Sequence, residues 1–249
     1  MADTQRWYRL SLPYRTGIFG WGCSYLDVEF FEASGEGLLE LEYMGQEELE
    51  LWKDAYLDAT VMVFCLPLWA AFPKSDLADE DWQKREQILT GFYQVVHNYN
   101  KLREKFWRDN PVRGILALTM ADDPRCVLDG LRDRWITPYL DAPDQYLDEF
   151  AKGRGVARYM ANARKISEYL RLEFKKIRDS RVSGIPNLLN FNSRQAWLIP
   201  LSAIEGKTLD NIERQHSQHR YPGRFDPPVP VHVELPLLVA LCERENALM

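Results

Sequence analysis

The chain has 249 residues, of which 46% are hydrophobic and 27% are charged, and its formal net charge at pH 7 is −6. This length and composition suit one large α/β domain, or one domain with an insertion. The diffuse acidic balance argues against nucleic acid as the main partner, because phosphate binding requires a basic surface. No apolar run approaches the roughly 18 residues of a membrane span, and the polar N-terminus does not resemble a signal peptide. With four cysteines and no CxxC pair, the sequence predicts a cytoplasmic protein whose thiols are free and buried.

The first predicted elements are two strands, because polar and apolar residues alternate over residues 6–14 and again over 25–33. The glycines between the two runs favour an antiparallel hairpin. A helical pattern over 46–59 then precedes the continuous apolar run 60–68. Such a run is typical of a strand that is buried on both faces.

Helices and apolar strands alternate through the rest of the chain. Apolar spacings predict helices over 80–107 and 156–178, and short apolar runs predict strands over 112–119 and 196–201. Residues 181–195 contain glycine, proline and three asparagines and therefore predict a loop. The alternation predicts an α/β fold with a mostly parallel sheet, helices on both faces and the hairpin as an antiparallel edge.

The domain organisation predicted from these elements is a single domain over residues 1–249. Within it, residues 124–195 form a mainly helical insertion before the last strand. Residues 217–249 contain a proline-rich linker and then a C-terminal helix, or a strand plus a helix.

Three short motifs each stand at the end of a predicted strand, which is where α/β sheets bind ligands. They are Glu32–Gly35 after the hairpin, Thr119–Asp122 at the end of the strand predicted over 112–119, and Ser202–Ala203 after the last strand. In that order they resemble the DxxG, TKxD and SAK motifs of Ras-like and Gα-like GTPases. The resemblance covers residues 6–215 and implies the Ras-like order of strands and helices.

The first motif resembles the start of switch II. In the GTPase family its aspartate reaches magnesium through a water, and its glycine amide bonds the γ-phosphate. The resemblance therefore implies a metal-binding role for Glu32 and a phosphate-binding role for Gly35. Glu32 replaces the family's aspartate and carries one more methylene. The alternative is a plain acidic turn.

The other two motifs resemble the guanine-binding segments of the family. The family's aspartate accepts two hydrogen bonds from guanine, so the resemblance implies that Thr119 and Asp122 recognise the base. It also implies that backbone amides of Ser202 and Ala203 contact guanine O6. A methionine stands where the family has lysine. The alternative is that Asp122 and Asp123 only cap the following helix.

The family's first element, a strand that ends in GxxxxGK[ST], has no counterpart in these 249 residues. The glycine-rich link 17–22 has no Lys-Ser/Thr pair, and it joins two strands. Because the missing strand is central in the family's sheet, its loss would leave unpaired backbone groups beside the 60–68 strand. Three solutions stay open: the chain is a fragment, a partner donates a strand, or residues 229–235 fill the gap.

The resemblance implies a GTPase-like domain that binds GTP or GDP with Mg²⁺ and hydrolyses GTP only if a P-loop comes from missing sequence or a partner. The helical insertion is similar to those of bacterial GTPases from conflict and signalling systems. The alternative is a pseudo-GTPase that acts as a protein-interaction scaffold without nucleotide, so enzymatic activity stays open. A protein partner is expected in either case. Trp21 and Trp69 are candidate partner contacts, with core packing as the alternative.

Overall fold

A computed structural model describes residues 6–16, 22–32, 59–105, 112–121, 123–127, 155–191, 195–202, 236 and 239. These residues belong to two compact units. The first unit holds the N-terminal hairpin and residues 91–105, and the second holds the remaining described residues.

The hairpin is formed by β1 (Arg6–Thr16) and β2 (Gly22–Glu32), which pair antiparallel with Arg6 opposite Glu32. This confirms the predicted hairpin. Arg9 lies opposite Glu29 in the register, and both side chains are exposed. Opposite charges that face each other across a strand pair stabilise the pair.

The second unit is built on a parallel sheet of β3 (Val61–Pro67), β4 (Arg113–Thr119) and β5 (Trp197–Pro200), in the order β3-β4-β5. All residues from Gly114 to Leu118 are buried, so β4 is the centre of this sheet. The parallel pairing confirms the predicted α/β class. Among the described strands, the hairpin and the parallel sheet are separate sheets.

Four helices are described in full: α1 (Leu68–Ala71), α2 (Asp79–Lys105), α3 (Gly155–Lys176) and α4 (Ser180–Leu188). The first turn of α2 carries three acidic residues and the last turn of α3 carries two lysines, and both placements favour the helix dipole. The predicted amphipathic pattern of α3 is confirmed at its four fully buried positions, which are Ala163, Ile166, Leu170 and Phe174.

The helix α4 lies where a loop was predicted over 181–195, so that prediction is wrong from Arg181 to Leu188. Its N-cap is Asp179, whose carboxylate accepts the backbone N–H of Arg181 at 3.0 Å. Pro186 lies inside the helix and removes one backbone hydrogen bond. Burial of Val182, Ile185 and Pro186 outweighs these weak local preferences.

One face of the sheet packs against α3. Ile115 of β4 and Trp197 and Ile199 of β5 form a buried cluster with Ala163 of α3 and Val239. On the opposite face, Gly114 lies so close to the chain after α4 that a Cβ atom there would come within 2.3 Å of the Leu189 carbonyl oxygen. Only glycine permits this approach, because an added methyl group would overlap backbone.

The outer side of β5 is closed by side chains. The Leu198 N–H donates to the Ser167 Oγ of α3 at 2.9 Å, and Arg171 of α3 donates to the Ala196 carbonyl. The Ala196 N–H donates to the Asn190 side chain at 2.8 Å. Pro200 has no N–H, so the outward donors of this edge strand are either bonded or absent.

The outer side of β3 is different. Phe64 and Leu66 are buried, whereas Val63 is 42% exposed and Cys65 is also exposed. The prediction that this strand is buried on both faces is therefore wrong. The reason is that the described part of the chain places β3 at the edge of its sheet, while α3 packs against β4 and β5. For Cys65 the two observations differ, since the residue is exposed whereas burial raises the pKa of its thiol. Cys126 is buried, as expected.

Several predictions fall outside the described residues. These are the helix over 46–58, the first part of the helical insertion and most of the C-terminal region, in which only Pro236 and Val239 are described and both are helical. The described part of the insertion is helical in α3 and α4. None of the described helices is long and apolar enough to cross a membrane.

Candidate functional site

The three strands of the parallel sheet end on the same side, where loops and helices take over. β3 ends at Pro67 and runs directly into α1, β4 ends at Thr119, and β5 ends at Pro200. In open α/β sheets, ligands bind outside the carboxyl ends of the strands. This carboxyl edge is therefore the candidate location of a ligand-binding site.

Backbone hydrogen bonds join the ends of β4 and β5. The Leu201 N–H donates to the Leu118 carbonyl at 2.9 Å, and the Ala121 N–H donates to the Leu201 carbonyl at 3.2 Å. The residues after β4 therefore run beside the residues after β5. Thr119 is half-buried and Ser202 is 3% exposed, so both belong to the wall of this edge rather than to its outer surface.

Met120 has an unusual backbone conformation, with a φ of 54°, and its side chain is 43% exposed. Non-glycine residues seldom adopt a positive φ, and the strain costs about 1 kcal/mol. Such strain persists only where the surrounding structure enforces it. Here the backbone hydrogen bonds of Leu118, Met120 and Ala121 do so.

The loop that follows β4 is fixed by turns and by a second chain segment. The Asp123 N–H donates to the Met120 carbonyl at 3.0 Å, and the Cys126 N–H donates to the Asp123 carbonyl at 3.1 Å. The segment after α1 runs alongside, through a bond from the Val127 N–H to the Phe72 carbonyl at 3.0 Å and a bridge between Pro73 and Cys126. The loop is thus tied to the segment after α1 as well as to the end of β5.

Arg125 lies at the centre of this loop and binds two carboxylates. Its guanidinium pairs with Asp123 through Nη2–Oδ2 at 2.7 Å and Nε–Oδ1 at 3.0 Å, and its Nη1 lies 2.8 Å from Asp81 Oδ1. The guanidinium carbon stands 4.1 Å from the centre of the Trp69 ring. Bidentate pairing and ring stacking together fix the arginine more firmly than either contact alone.

The electrostatics of this group, which we call the Arg125 cluster (Trp69, Asp81, Asp123 and Arg125), favour the charged arginine. The hydrogen bond to Asp123 is the largest of the contributions that raise the Arg125 pKa, and Asp81 adds to it. The Asp123 side chain is only 6% exposed. The cluster therefore holds a buried carboxylate whose charge is compensated by one shared cation.

The structure brings together two of the residues expected at a nucleotide site. Thr119 and Ser202 lie at the joined ends of β4 and β5, whereas Asp122, Ala203 and Gly35 lie outside the described residues. Glu32 is the last residue of β2, in the other compact unit, and its side chain is not among those described. Across the described ranges, no group of three or more His, Cys, Asp or Glu side chains could hold a metal ion.

The Arg125 cluster was not anticipated from the sequence. The proposed partner contact of Trp69 is wrong, because this side chain is 1% exposed and lies under Arg125. Trp21 lies outside the described residues. A local signal for part of the cluster does exist, since Asp123 Oδ1 also accepts the Arg125 backbone N–H at 2.8 Å, a turn that Asp-x-Arg favours. The contacts with Asp81 and Trp69 span 44 and 56 residues of sequence and have no such signal.

No protein-family model, curated protein or solved structure shows a significant match to this chain. The resemblance to Ras-like GTPases is not tested by these comparisons and stays a prediction.

Proposed function

We propose that the chain is a GTPase-like domain that binds a guanine nucleotide weakly at the carboxyl edge of the β3-β4-β5 sheet. In this proposal the Asp122 carboxylate and Thr119 recognise the guanine base, and the backbone amides of Ser202 and Ala203 contact its O6 atom. The proposal includes the Ras-like order of strands, in which β3, β4 and β5 are the last three strands of the family's sheet.

The observation that carries the proposal is the joining of the β4 and β5 ends. Two motifs that are 83 residues apart in sequence, beginning at Thr119 and Ser202, are adjacent in space because Leu201 bonds to both Leu118 and Ala121. A guanine-binding site formed by two strand ends requires that these ends be adjacent. If Asp122 and Asp123 only capped a helix, this adjacency would not be needed.

The strained and exposed Met120 is a second supporting observation. In the sequence, Met120 lies between Thr119 and Asp122, the residue proposed to read the base. It stands where the GTPase family has a lysine whose stem covers the base. An exposed thioether is suited to packing on the face of an aromatic ring. Backbone strain concentrates at ligand sites, where it holds contact groups in place before the ligand arrives.

The affinity in this proposal is weak because the phosphate-binding groups are few. The 249 residues contain no GxxxxGK[ST] run. Hydrolysis would therefore need a P-loop from additional sequence or from a partner. The base contacts then provide most of the binding free energy.

A second candidate function is a pseudo-GTPase that binds a protein partner and no nucleotide. The Arg125 cluster favours it, because two carboxylates share one guanidinium at the carboxyl edge. This charge balance does not attract phosphate, whereas a loop that is rigidly held presents a defined surface to another protein.

Calorimetric titration of the chain with GDP and GTP in the presence of Mg²⁺, with ADP for comparison, distinguishes the two candidates. The proposal predicts binding that prefers guanine, and Asp122→Asn should weaken it by roughly ten- to a hundredfold, since one bidentate reading is lost. The same variant should shift the preference toward xanthine nucleotides. The control is Asp76→Asn, which removes the same charge from an exposed position.

Three results would overturn the nucleotide proposal: no heat with any guanine nucleotide, equal binding of ADP, or equal weakening by both variants. The second candidate would be supported if no guanine nucleotide binds and Asp122→Asn leaves the affinity for a protein partner unchanged. Magnesium-dependent GTP turnover by the 249-residue chain alone would contradict both.

A further inference from the structure

The backbone of β3 alternates between groups that face β4 and groups that face away from the sheet. The Arg113 N–H donates to the Thr60 carbonyl at 3.0 Å, which places Thr60 among the residues that face β4. In a parallel ladder the alternation then continues with Met62, Phe64 and Leu66. The N–H and C=O groups of Val61, Val63 and Cys65 consequently point outward, and none of the described strands pairs with that side.

The side chains along this outer edge of β3 are apolar and partly open to solvent. Val63 is 42% exposed, Cys65 is exposed, and the strand Val61–Pro67 contains no charged residue. Natural edge strands are usually protected by charge, by proline or by a covering element. Here Pro67 provides protection only at the last position.

We propose that this outer edge of β3 pairs antiparallel with the same edge of a second copy of the chain. Two three-stranded sheets would then join into one continuous six-stranded sheet across a two-fold axis. The inference does not depend on base binding at the carboxyl edge, but it excludes a P-loop strand beside β3 in the same molecule, because both would occupy the same edge.

The register of this pairing follows from the outward residues. Placing Val63 opposite Val63 of the second copy also places Val61 opposite Cys65, so all three outward residues of each strand are bonded. A shift toward Pro67 would bring a residue without an N–H into the ladder, and a shift toward Thr60 would leave Cys65 without a partner strand. The symmetric register is therefore the one that satisfies most backbone groups.

A second copy fits this edge better than a strand of unrelated sequence for two reasons. An uncharged, β-branched edge is complementary to itself, because no like charges meet across the axis. In addition, the opposite edge of the sheet is closed by Ser167, Arg171, Asn190 and Pro200. Because the β5 edge of this sheet is closed, pairing through β3 stops at a dimer and does not continue through the same sheet into a filament.

The position of α3 leaves room for such a dimer. This helix packs over β4 and β5, where Ala163 meets Ile115 and Trp197, and it does not cover the exposed Val63. Val63 is in register with Ile115 and so lies on the same face of the sheet as α3, beyond the part that the helix covers. On pairing, the Val63 side chains of the two copies meet there and remove each other from water. Their burial adds hydrophobic free energy to that of the new backbone hydrogen bonds.

Sedimentation equilibrium of the whole chain over a wide range of protein concentration tests the proposal. The wild-type chain should form a reversible dimer. Val63→Lys should raise its dissociation constant by at least about tenfold, because two like charges would lie directly opposite each other. The matched control is Leu172→Lys, which changes a 57% exposed apolar residue of α3 and should leave the dimer intact. A monomeric wild type, or an unchanged dimer in Val63→Lys, would overturn the inference.

A second experiment tests the register without depending on how well Val63→Lys folds. In a Cys65→Ser background, Val63→Cys places two thiols opposite each other with Cα atoms about 5.5 Å apart, within reach of a disulfide. Mild oxidation should give a cross-linked dimer, whereas Leu172→Cys in the same background should give much less. Equal cross-linking of the two variants would contradict the proposed pairing, since both keep the same remaining cysteines.

Discussion

The two edge strands of the parallel sheet, β3 and β5, differ in whether their outward backbone groups have hydrogen-bond partners. At β5, the N–H groups of Leu198 and Ala196 donate to Ser167 and Asn190, Arg171 donates to the Ala196 carbonyl, and Pro200 has no donor. At β3, the outward groups of Val61, Val63 and Cys65 have no pairing strand among the described residues, and apolar side chains are exposed beside them. The comparison shows that a strand's composition does not decide whether its edge is open. Side chains from distant helices decide it.

The largest loss of stability is expected from a change in β4, the central strand between the two edges. Gly114→Ala would place a methyl group within 2.3 Å of the Leu189 carbonyl and should destabilise the fold by about 3 kcal/mol. Urea unfolding measures the change. The control is Gly91→Ala in α2, where nothing lies within 4 Å of the added Cβ, and which should stabilise by about 1 kcal/mol. Similar values for the two variants would mean that β4 and the Leu189 carbonyl are not in close contact.

A smaller loss of stability is expected when the buried hydrogen bond between Leu198 and Ser167 at the β5 edge is removed. Ser167→Ala removes the acceptor of the Leu198 N–H and should cost about 2 kcal/mol, because a buried donor loses its partner. Ser167→Thr keeps the hydroxyl and should recover part of the loss. Ser183→Ala, at a half-buried position on α4, serves as the control and should change the unfolding free energy by less than about 0.5 kcal/mol. A neutral Ser167→Ala would show that Ser167 does not close this edge.

Arg171 offers a second way to open the same edge, with a smaller effect. Its guanidinium donates to the Ala196 carbonyl, but desolvation by the surrounding protein lowers the Arg171 pKa and so opposes the charge there. Arg171→Met should therefore cost about 1 kcal/mol, less than Ser167→Ala, because the lost bond is partly offset by relief of that desolvation. Thermal unfolding of the two variants and of the double variant measures both costs. A larger loss for Arg171→Met than for Ser167→Ala would contradict the expected order of the two bonds.

The smallest effect is expected at the open edge itself. Val63→Thr keeps the branched shape and exchanges one methyl for a hydroxyl at a position that is 42% exposed. Measured on dilute protein, where any dimer has dissociated, the unfolding free energy should change by less than about 0.5 kcal/mol. A loss comparable to that of Ser167→Ala would show that the β3 edge is buried in the isolated chain.

Much of the fold could be predicted from the sequence, because local patterns determine it. The alternation in β1 and β2 gives the hairpin, and the apolar spacing of Ala163, Ile166, Leu170 and Phe174 gives the buried face of α3. The errors concern long-range effects. Nothing near residues 60–68 indicates that α3 covers β5 and leaves Val63 open, and the burial that makes α4 a helix lies in tertiary contacts of Val182 and Ile185.

The candidate site shows the same division. The positions of Thr119 and Ser202 at strand ends were predictable, because apolar runs mark where strands stop. The Arg125 cluster was not, since Trp69, Asp81 and Arg125 meet only after the chain has folded. The strain at Met120 is likewise a property of the folded backbone and has no counterpart in the residue types around it.

Amide NMR chemical shifts during a titration with Mg²⁺–GDP test the central claim most directly, because they report where a nucleotide binds. The proposal predicts that the largest changes occur at Thr119, Met120, Ala121, Leu201 and Ser202, and that ADP at the same concentration leaves these signals in place. Changes confined to other parts of the sheet, or no changes at any GDP concentration, would contradict a guanine site at the joined ends of β4 and β5.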